Sequence, residues 1–206
     1  MEVGVVNQYE LDNNLKTIYR SSKKEPFFVE VPTMSYLTFD GKGHPCEEDF
    51  QSASEALFTL SYIVKFEIAR KKLNIDYKVN PMEITWYLDK SNDGITFIWT
   101  MMIMQPKFIM KEMIRNAIKI AKDKGKNIAY DRVDFKEIEF GNCIQCFHLG
   151  DYNKMNDTLE KMIAIAKENN LCYDQYTHDI YLNDMRKTKI ENYKTIMRIK
   201  TYKDKS

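Results

Sequence analysis

Met82-Glu83-Ile84-Thr85-Trp86-Tyr87-Leu88 and, in the second half, His178-Asp179-Ile180-Tyr181-Leu182 carry one short pattern: an acid, an isoleucine, then aromatics. Both runs are rich in β-branched and aromatic residues and read as strands. Each follows a strand pattern and a helix pattern, and each is followed by another strand. Thr96 to Met104 comes after the turn signal Ser91-Asn92-Asp93-Gly94, and Tyr193 to Lys200 after a polar loop from Asn183 to Asn192. The chain thus reads as two strand–helix–strand–strand units, about residues 27–105 and 130–200. A carboxylate among aromatics is costly to desolvate unless something pairs with it. Two such acids in matching positions imply one shared cleft that meets a ligand. The alternative is a pair of ordinary solvent-facing strand residues; duplication favours the cleft.

Around these strands the remaining elements fall into place. Residues 1–25 are polar, with a weak helical pattern through Tyr9, Leu11, Leu15, Ile18 and Tyr19, and read as an appended N-terminal extension to a domain spanning 26–206. Phe27 to Phe39 reads as a strand ended by the turn Asp40-Gly41-Lys42-Gly43. Glu47 to Arg70 carries Phe50, Ala53, Leu57, Leu60 and Val64 at three- and four-residue steps, the apolar stripe of a helix. Pro106 opens a connecting helix whose apolar face is Met110, Met113, Ala117, Ile120 and Ala121, stopped at Gly125. In the second unit Val133 to Leu149 is a pair of strands or one strand bent at Gly141-Asn142, and Met155 to Glu168 is a helix ended by Asn169-Asn170. Tyr193 to Lys200 alternates as a strand with one wet face. The expected class is α+β: an antiparallel sheet flanked by helices, with a pseudo-twofold axis and a groove near it.

Composition narrows the function. Hydrophobic residues are 44% and aromatics 13%, enough for a core, while the formal charge of +1 lacks the basic field that nucleic-acid binding needs. The start of the chain is polar, without a leader's apolar segment, and no run approaches the ~20 apolar residues of a membrane span. The reading is a soluble, cytoplasmic protein with neither membrane nor direct nucleic-acid contacts. Cys143 and Cys146 share C-x-x-C spacing, but on a strand they face opposite sides, so they and Cys46 and Cys172 read as free thiols. The three histidines show no metal-ligand spacing, and the lone Gly41-Lys42-Gly43 is no phosphate cradle. No metal and no cofactor are expected.

The candidate site residues follow from face and chemistry. Alternation puts Glu83, Thr85 and Tyr87 on one side of their strand and Met82, Ile84 and Trp86 on the other; Asp179 and Tyr181 share a side. Acids at the floor and aromatic walls suit an aromatic or cationic small molecule, through charge pairing and cation–π contact. The ligand-binding candidates are Tyr36, Tyr62, Glu83, Trp86, Trp99, Met101, Phe147, Asp179 and Tyr181. If the protein is an enzyme, Asp179 or Glu83 activates water and Tyr62 or Tyr181 meets the developing oxyanion.

Several motifs together have a family look. Val31-Pro32 through Asp40-Gly41-Lys42-Gly43, Pro81-Met82-Glu83 with Trp86, and Trp99-Thr100-Met101-Met102-Ile103-Met104-Gln105-Pro106 resemble the stand-alone GyrI-like small-molecule-binding proteins. So do Gln145, His148, Gly150 and Tyr152, and the closing run His178 to Asp184 with Arg186, Lys187 and Lys194-Thr195-Ile196. The resemblance implies a duplicated fold around a central pocket that senses or sequesters drugs or toxins. For some relatives it implies a hydrolase that opens the cyclopropane ring of DNA-alkylating compounds, and for others a protein partner such as gyrase or a transcription regulator. The family usually carries Glu where this chain has Asp179, whose carboxylate reaches about 1.5 Å less far by ordinary bond lengths. Met185 also replaces a family proline. The shorter acid favours binding over hydrolysis. Oligomeric state is not legible.

Overall fold

The computed structural model describes residues 6–19, 22–91, 94–125 and 129–204. Along the chain these form β1 (Asn7–Tyr9), α1 (Asn13–Tyr19), β2 (Phe27–Val31), β3 (Met34–Lys42) and α2 (Glu48–Ile63), which continues through a π-helical stretch (Val64–Arg70) into α3 (Lys71–Leu73). Then come β4 (Ile75–Tyr77), β5 (Met82–Ser91), β6 (Gly94–Met104) and α4 (Lys111–Asp123). The second half gives β7 (Asp134–Ile138), β8 (Gly141–Leu149), α5 (Met155–Glu168), β9 (Leu171–Tyr173), β10 (Thr177–Tyr181) and β11 (Lys194–Lys203). The Asn92-Asp93 turn expected between β5 and β6 lies outside the described residues. The class is α+β, as the strand and helix patterns imply.

One antiparallel sheet runs β2-β8-β11-β10-β5-β6-β3-β7, with β9 paired to the end of β11. The order is a palindrome of the two repeats, and β5 and β10 meet at its middle. Its outermost strands are exchanged: β2 leaves the first unit to pair with β8, and β7 returns to pair with β3. The single strand expected over Phe27–Phe39 is therefore two strands, parted at Pro32, which has no N–H for a ladder. β3 also continues through the expected turn as far as Lys42, and the chain leaves it at Gly43, whose φ is +102°.

The sheet has a different cover on each face. On the inner face α2 packs on β3 and β6, and α5 on β8 and β11. Leu57 and Leu60 of α2 join Leu37, Phe39, Ile84, Met101 and Ile103 in one cluster, while Met162 and Ala166 of α5 join Ile144, Cys146, Met197 and Ile199 in another. Fully burying a side chain of that size contributes about 1.5–3 kcal/mol. The outer face is covered in part by α1, which seats Leu15, Ile18 and Tyr19 beside Met34, Tyr36, Met102, Phe147, Ile180 and Ile196.

The described part of the N-terminal extension packs on the domain: β1 pairs with β4, and α1 joins the core. Two expectations change here. β11 has no wet face: Met197 and Ile199 lie under α5, and Ile196 and Arg198 are buried on the other side. Pro106 does not open a helix; it starts a turn closed by the Ile109 N–H, and α4 begins at Lys111 with Met110 exposed.

Candidate ligand cleft

The register of β5 against β10 fixes which side chains can meet. Asp179 pairs with Ile84, and Glu83 with Ile180. Directly opposed residues share a face of the sheet. Asp179 therefore lies with Ile84 on the inner face, and Glu83 with Ile180 on the outer. Ile84 pairs onward with Met101, and Asp179 with Met197. The twofold relation of the halves thus matches Ile84 with Asp179, Glu83 with His178 and Trp86 with Tyr181. The repeat read in sequence matched Glu83 with Asp179, one residue out of step. A slip of one residue sends a side chain to the opposite face, so the shared acidic floor does not form.

Neither α2 nor α5 covers the middle of the sheet, and a cleft of about 2150 Å³ opens over β5 and β10 and continues around their ends. Its floor includes Met82, Ile84, Trp86, Asp179, Tyr181 and Met197; α2 contributes Phe50, Ser54, Phe58 and Tyr62, the turn before α5 contributes Tyr152, and the start of α5 contributes Met155, Asn156 and Leu159. The Trp86 indole N–H donates to the Tyr181 hydroxyl at 2.9 Å, bridging the twofold axis. Phe50 stacks on Trp86 at 5.8 Å between ring centroids. Tyr152 meets Tyr181 edge-on at 5.7 Å and stacks on Tyr193 at 4.9 Å. It is held there by a short turn whose Asp151 carboxylate accepts the Asn153 N–H. Phe58, Tyr62 and Phe66 form a ladder on α2, with centroid steps of 6.4 and 6.0 Å. The last step uses the π-helical stretch, a local form common at functional sites.

Asp179 is the unusual group in this cleft. It is 3% exposed, and its Oδ1 has no hydrogen-bond partner. Burial pushes its carboxyl up to about 8, with the Thr177 hydroxyl pulling weakly the other way. Tyr181 is raised well above the phenol range, by burial first and then by the negative charge of Asp179. Because the Tyr181 oxygen already accepts from Trp86, its own hydroxyl hydrogen is available to another acceptor.

Glu83 has the opposite surroundings. It is fully buried, accepts from the Tyr19 hydroxyl at 2.6 Å, and lies 2.7 Å from His178 Nε2. The Tyr19 and Tyr36 hydroxyls are 3.1 Å apart, and the other His178 nitrogen lies 3.2 Å from the Thr85 hydroxyl. Nearby, Arg198 donates to Gln145 at 2.6 Å, and Gln145 donates to the Ile18 carbonyl. Burial drives the His178 imidazole down, and Glu83 opposes it. Each polar atom of Glu83 is matched, and the group joins α1 to the sheet.

Of the nine sequence candidates, Tyr62, Trp86, Asp179 and Tyr181 come together around the cleft. Glu83, Tyr36 and Phe147 lie on the outer face. Met101 is sealed beneath α2, and so is Trp99, whose ring lies on Gly41 so closely that an added Cβ would be 2.2 Å from it. Phe50, Phe58, Tyr152 and Met197 were missed as site residues. The helix stripe could have flagged Phe50 and Phe58 had their cleft-ward edge been separated from the core-ward one. Cys143 and Cys146 are free and buried on opposite faces. Among the described residues no group of three His, Cys, Asp or Glu is placed to hold a metal, and no helix is long and apolar enough to cross a membrane.

A model of the GyrI-like small-molecule-binding domain matches residues 24–200. The chain belongs to that family. A conserved protein from Listeria innocua is 28% identical, with a TM-score of 0.84 over 95% of this chain and 100% of its own. A protein described as a hydrolase from Listeria innocua is also 28% identical, with a TM-score of 0.82 and the same shares of both chains. The EcmrR C-terminal domain, at 11% identity, TM-score 0.53 and coverage of 87% of this chain and 98% of its own, shares the fold. No curated protein matches the chain.

Proposed function

We propose that the protein binds aromatic small molecules that carry a positive or positively polarised nitrogen, and sequesters or senses them. The observation that carries this reading is Asp179: a buried acid whose Oδ1 has no partner, in a cleft walled by Trp86, Tyr181, Tyr152 and the Phe58–Tyr62 ladder. Aromatic walls supply stacking area, and a carboxyl oxygen lacking a partner is completed by a cationic donor from outside. Glu83 takes no part, since Tyr19 and His178 already satisfy it. The test is equilibrium binding of aromatic cations above pH 8 to the wild type and to Asp179→Asn. A charge-assisted hydrogen bond of about 1.5–3 kcal/mol corresponds to a ten- to hundredfold loss of cation affinity in the variant, with neutral aromatics unaffected. Unchanged cation affinity would overturn the reading.

A second reading is a hydrolase, favoured by the likeness to a Listeria innocua protein described as one and by Asp179 and Tyr181 facing the same cleft. Here ionised Asp179 takes a proton from water as the water oxygen bonds to a cyclopropane carbon; the ring C–C bond breaks, its electron pair passes to a conjugated carbonyl oxygen, and the Tyr181 hydroxyl donates to that oxygen. The substrate class is a cyclopropane-containing alkylator. Mass spectrometry of the incubated compound decides between the readings. Addition of one water, lost in Asp179→Asn, supports hydrolysis; recovery of the unchanged compound leaves binding.

A further inference from the structure

The surroundings of Asp179 define its ligand more narrowly. Its pairing neighbours, Ile84 on β5 and Met197 on β11, are apolar. The titratable groups facing it are phenols, Tyr181 on its own strand and Tyr152 before α5. Of the charged residues on nearby cleft walls, Glu55 of α2 and Arg186 and Lys187 of the β10–β11 loop are exposed at the rim, and the half-buried Asp184 is paired with Arg186. No cation therefore neutralises the carboxyl from within, and Oδ1 is buried and unpartnered.

We propose that the cleft is built for a protonatable nitrogen heterocycle, which enters as a neutral base, takes the proton of the Asp179 carboxyl, and returns it as an N–H···O hydrogen bond to that carboxylate. The O–H bond breaks with its electron pair left on oxygen, and an N–H bond forms from the ring nitrogen's lone pair; no other reactant is needed. A permanently charged onium ion of the same shape brings charge but no donor, so Oδ1 stays unsatisfied. The onium ion must also expel the Asp179 proton to solvent. This rests on the reading of Asp179 as the ligand-facing acid.

Three probes separate the two claims: a naphthyl imidazole, its N,N′-dimethyl imidazolium, and a naphthyl pyrrole of similar shape. An imidazole titrates near 6.5 and Asp179 near 8. Between those values the imidazole loses as much protonated form as the acid gains ionised form, so its affinity stays flat and no net proton is released. The imidazolium gains about tenfold in affinity per pH unit up to about 8, with release of a proton. Near pH 7 the imidazole binds several-fold tighter than the imidazolium. The ¹⁵N shifts of the bound imidazole show the protonated ring near pH 7.5, where the free ring is neutral, and Asp179→Asn abolishes that signature. An imidazole that stays neutral when bound, or an imidazolium that binds equally well throughout this range, overturns this inference while leaving aromatic binding intact. Failure of all three probes to bind overturns the function reading as well.

Discussion

β5 and β10 lie side by side at the centre of the sheet, and each carries an acid in nearly the same sequence setting. Glu83 is fully buried and has Tyr19 and His178 as partners. Asp179, on the opposite face though in the next pair of the ladder, is almost as buried and has a carboxylate oxygen with none. Burial alone therefore separates nothing. What differs is whether the surroundings complete the group, and that follows from the register that pairs Asp179 with Ile84 instead of Glu83. The completed acid holds α1 on the sheet, and the incomplete one lies at the cleft.

The largest expected effect comes from the incomplete acid. Unfolded, an Asp ionises near 3.9; folded, Asp179 keeps its proton to about 8. The folded state thus binds more protons between those values, and Asp179 makes stability fall as pH rises through that window, with the full penalty present above 8. At about 1.36 kcal/mol per unit the difference amounts to ~6 kcal/mol. Asp179→Asn removes it: urea unfolding shows the variant more stable than wild type by about that amount near pH 9, with the two converging near pH 4. A variant no more stable at high pH breaks the comparison from the Asp179 side.

Next is the completed acid. Glu83→Ala leaves the Tyr19 hydroxyl and His178 without their carboxylate in a sealed site, and breaking a buried pair costs about 3–5 kcal/mol. Urea unfolding registers the loss, while ligand affinity of the folded variant stays at the wild-type value. A Glu83 variant that unfolds normally but loses ligand would put that acid back in the cleft.

The smallest effect sharpens the picture of the cleft floor. Trp86→Phe removes the indole N–H that fixes the Tyr181 hydroxyl, worth about 1 kcal/mol, and keeps most of the stacking area. The expected result is a few-fold fall in affinity for aromatic ligands and little change in unfolding midpoint.

Much of this fold was legible because period and punctuation are local properties. The α2 and α5 stripes, the strands at Met82 and Thr177 and the stop at Gly125 each follow from residues within one or two turns of chain. The strand exchange at Pro32 and the π-helical stretch were not, since both depend on distant packing. Alternation correctly divided Glu83 from Ile84 and His178 from Asp179. It carries no information on how one strand aligns with another, and that one missing integer placed Glu83 in the wrong compartment. Trp86 and Trp99 repeat the lesson: they are paired on one face, yet α2 closes over Trp99, while Trp86, stacked on Phe50, stays at the cleft.

The most direct measurement is a ¹³C NMR titration of the side-chain carboxyls of Asp179 and Glu83, with and without an aromatic amine. The account predicts an Asp179 midpoint near 8 that drops when the ligand is added, and a Glu83 resonance that the ligand leaves in place. An Asp179 carboxyl titrating near 4 and indifferent to ligand would contradict it.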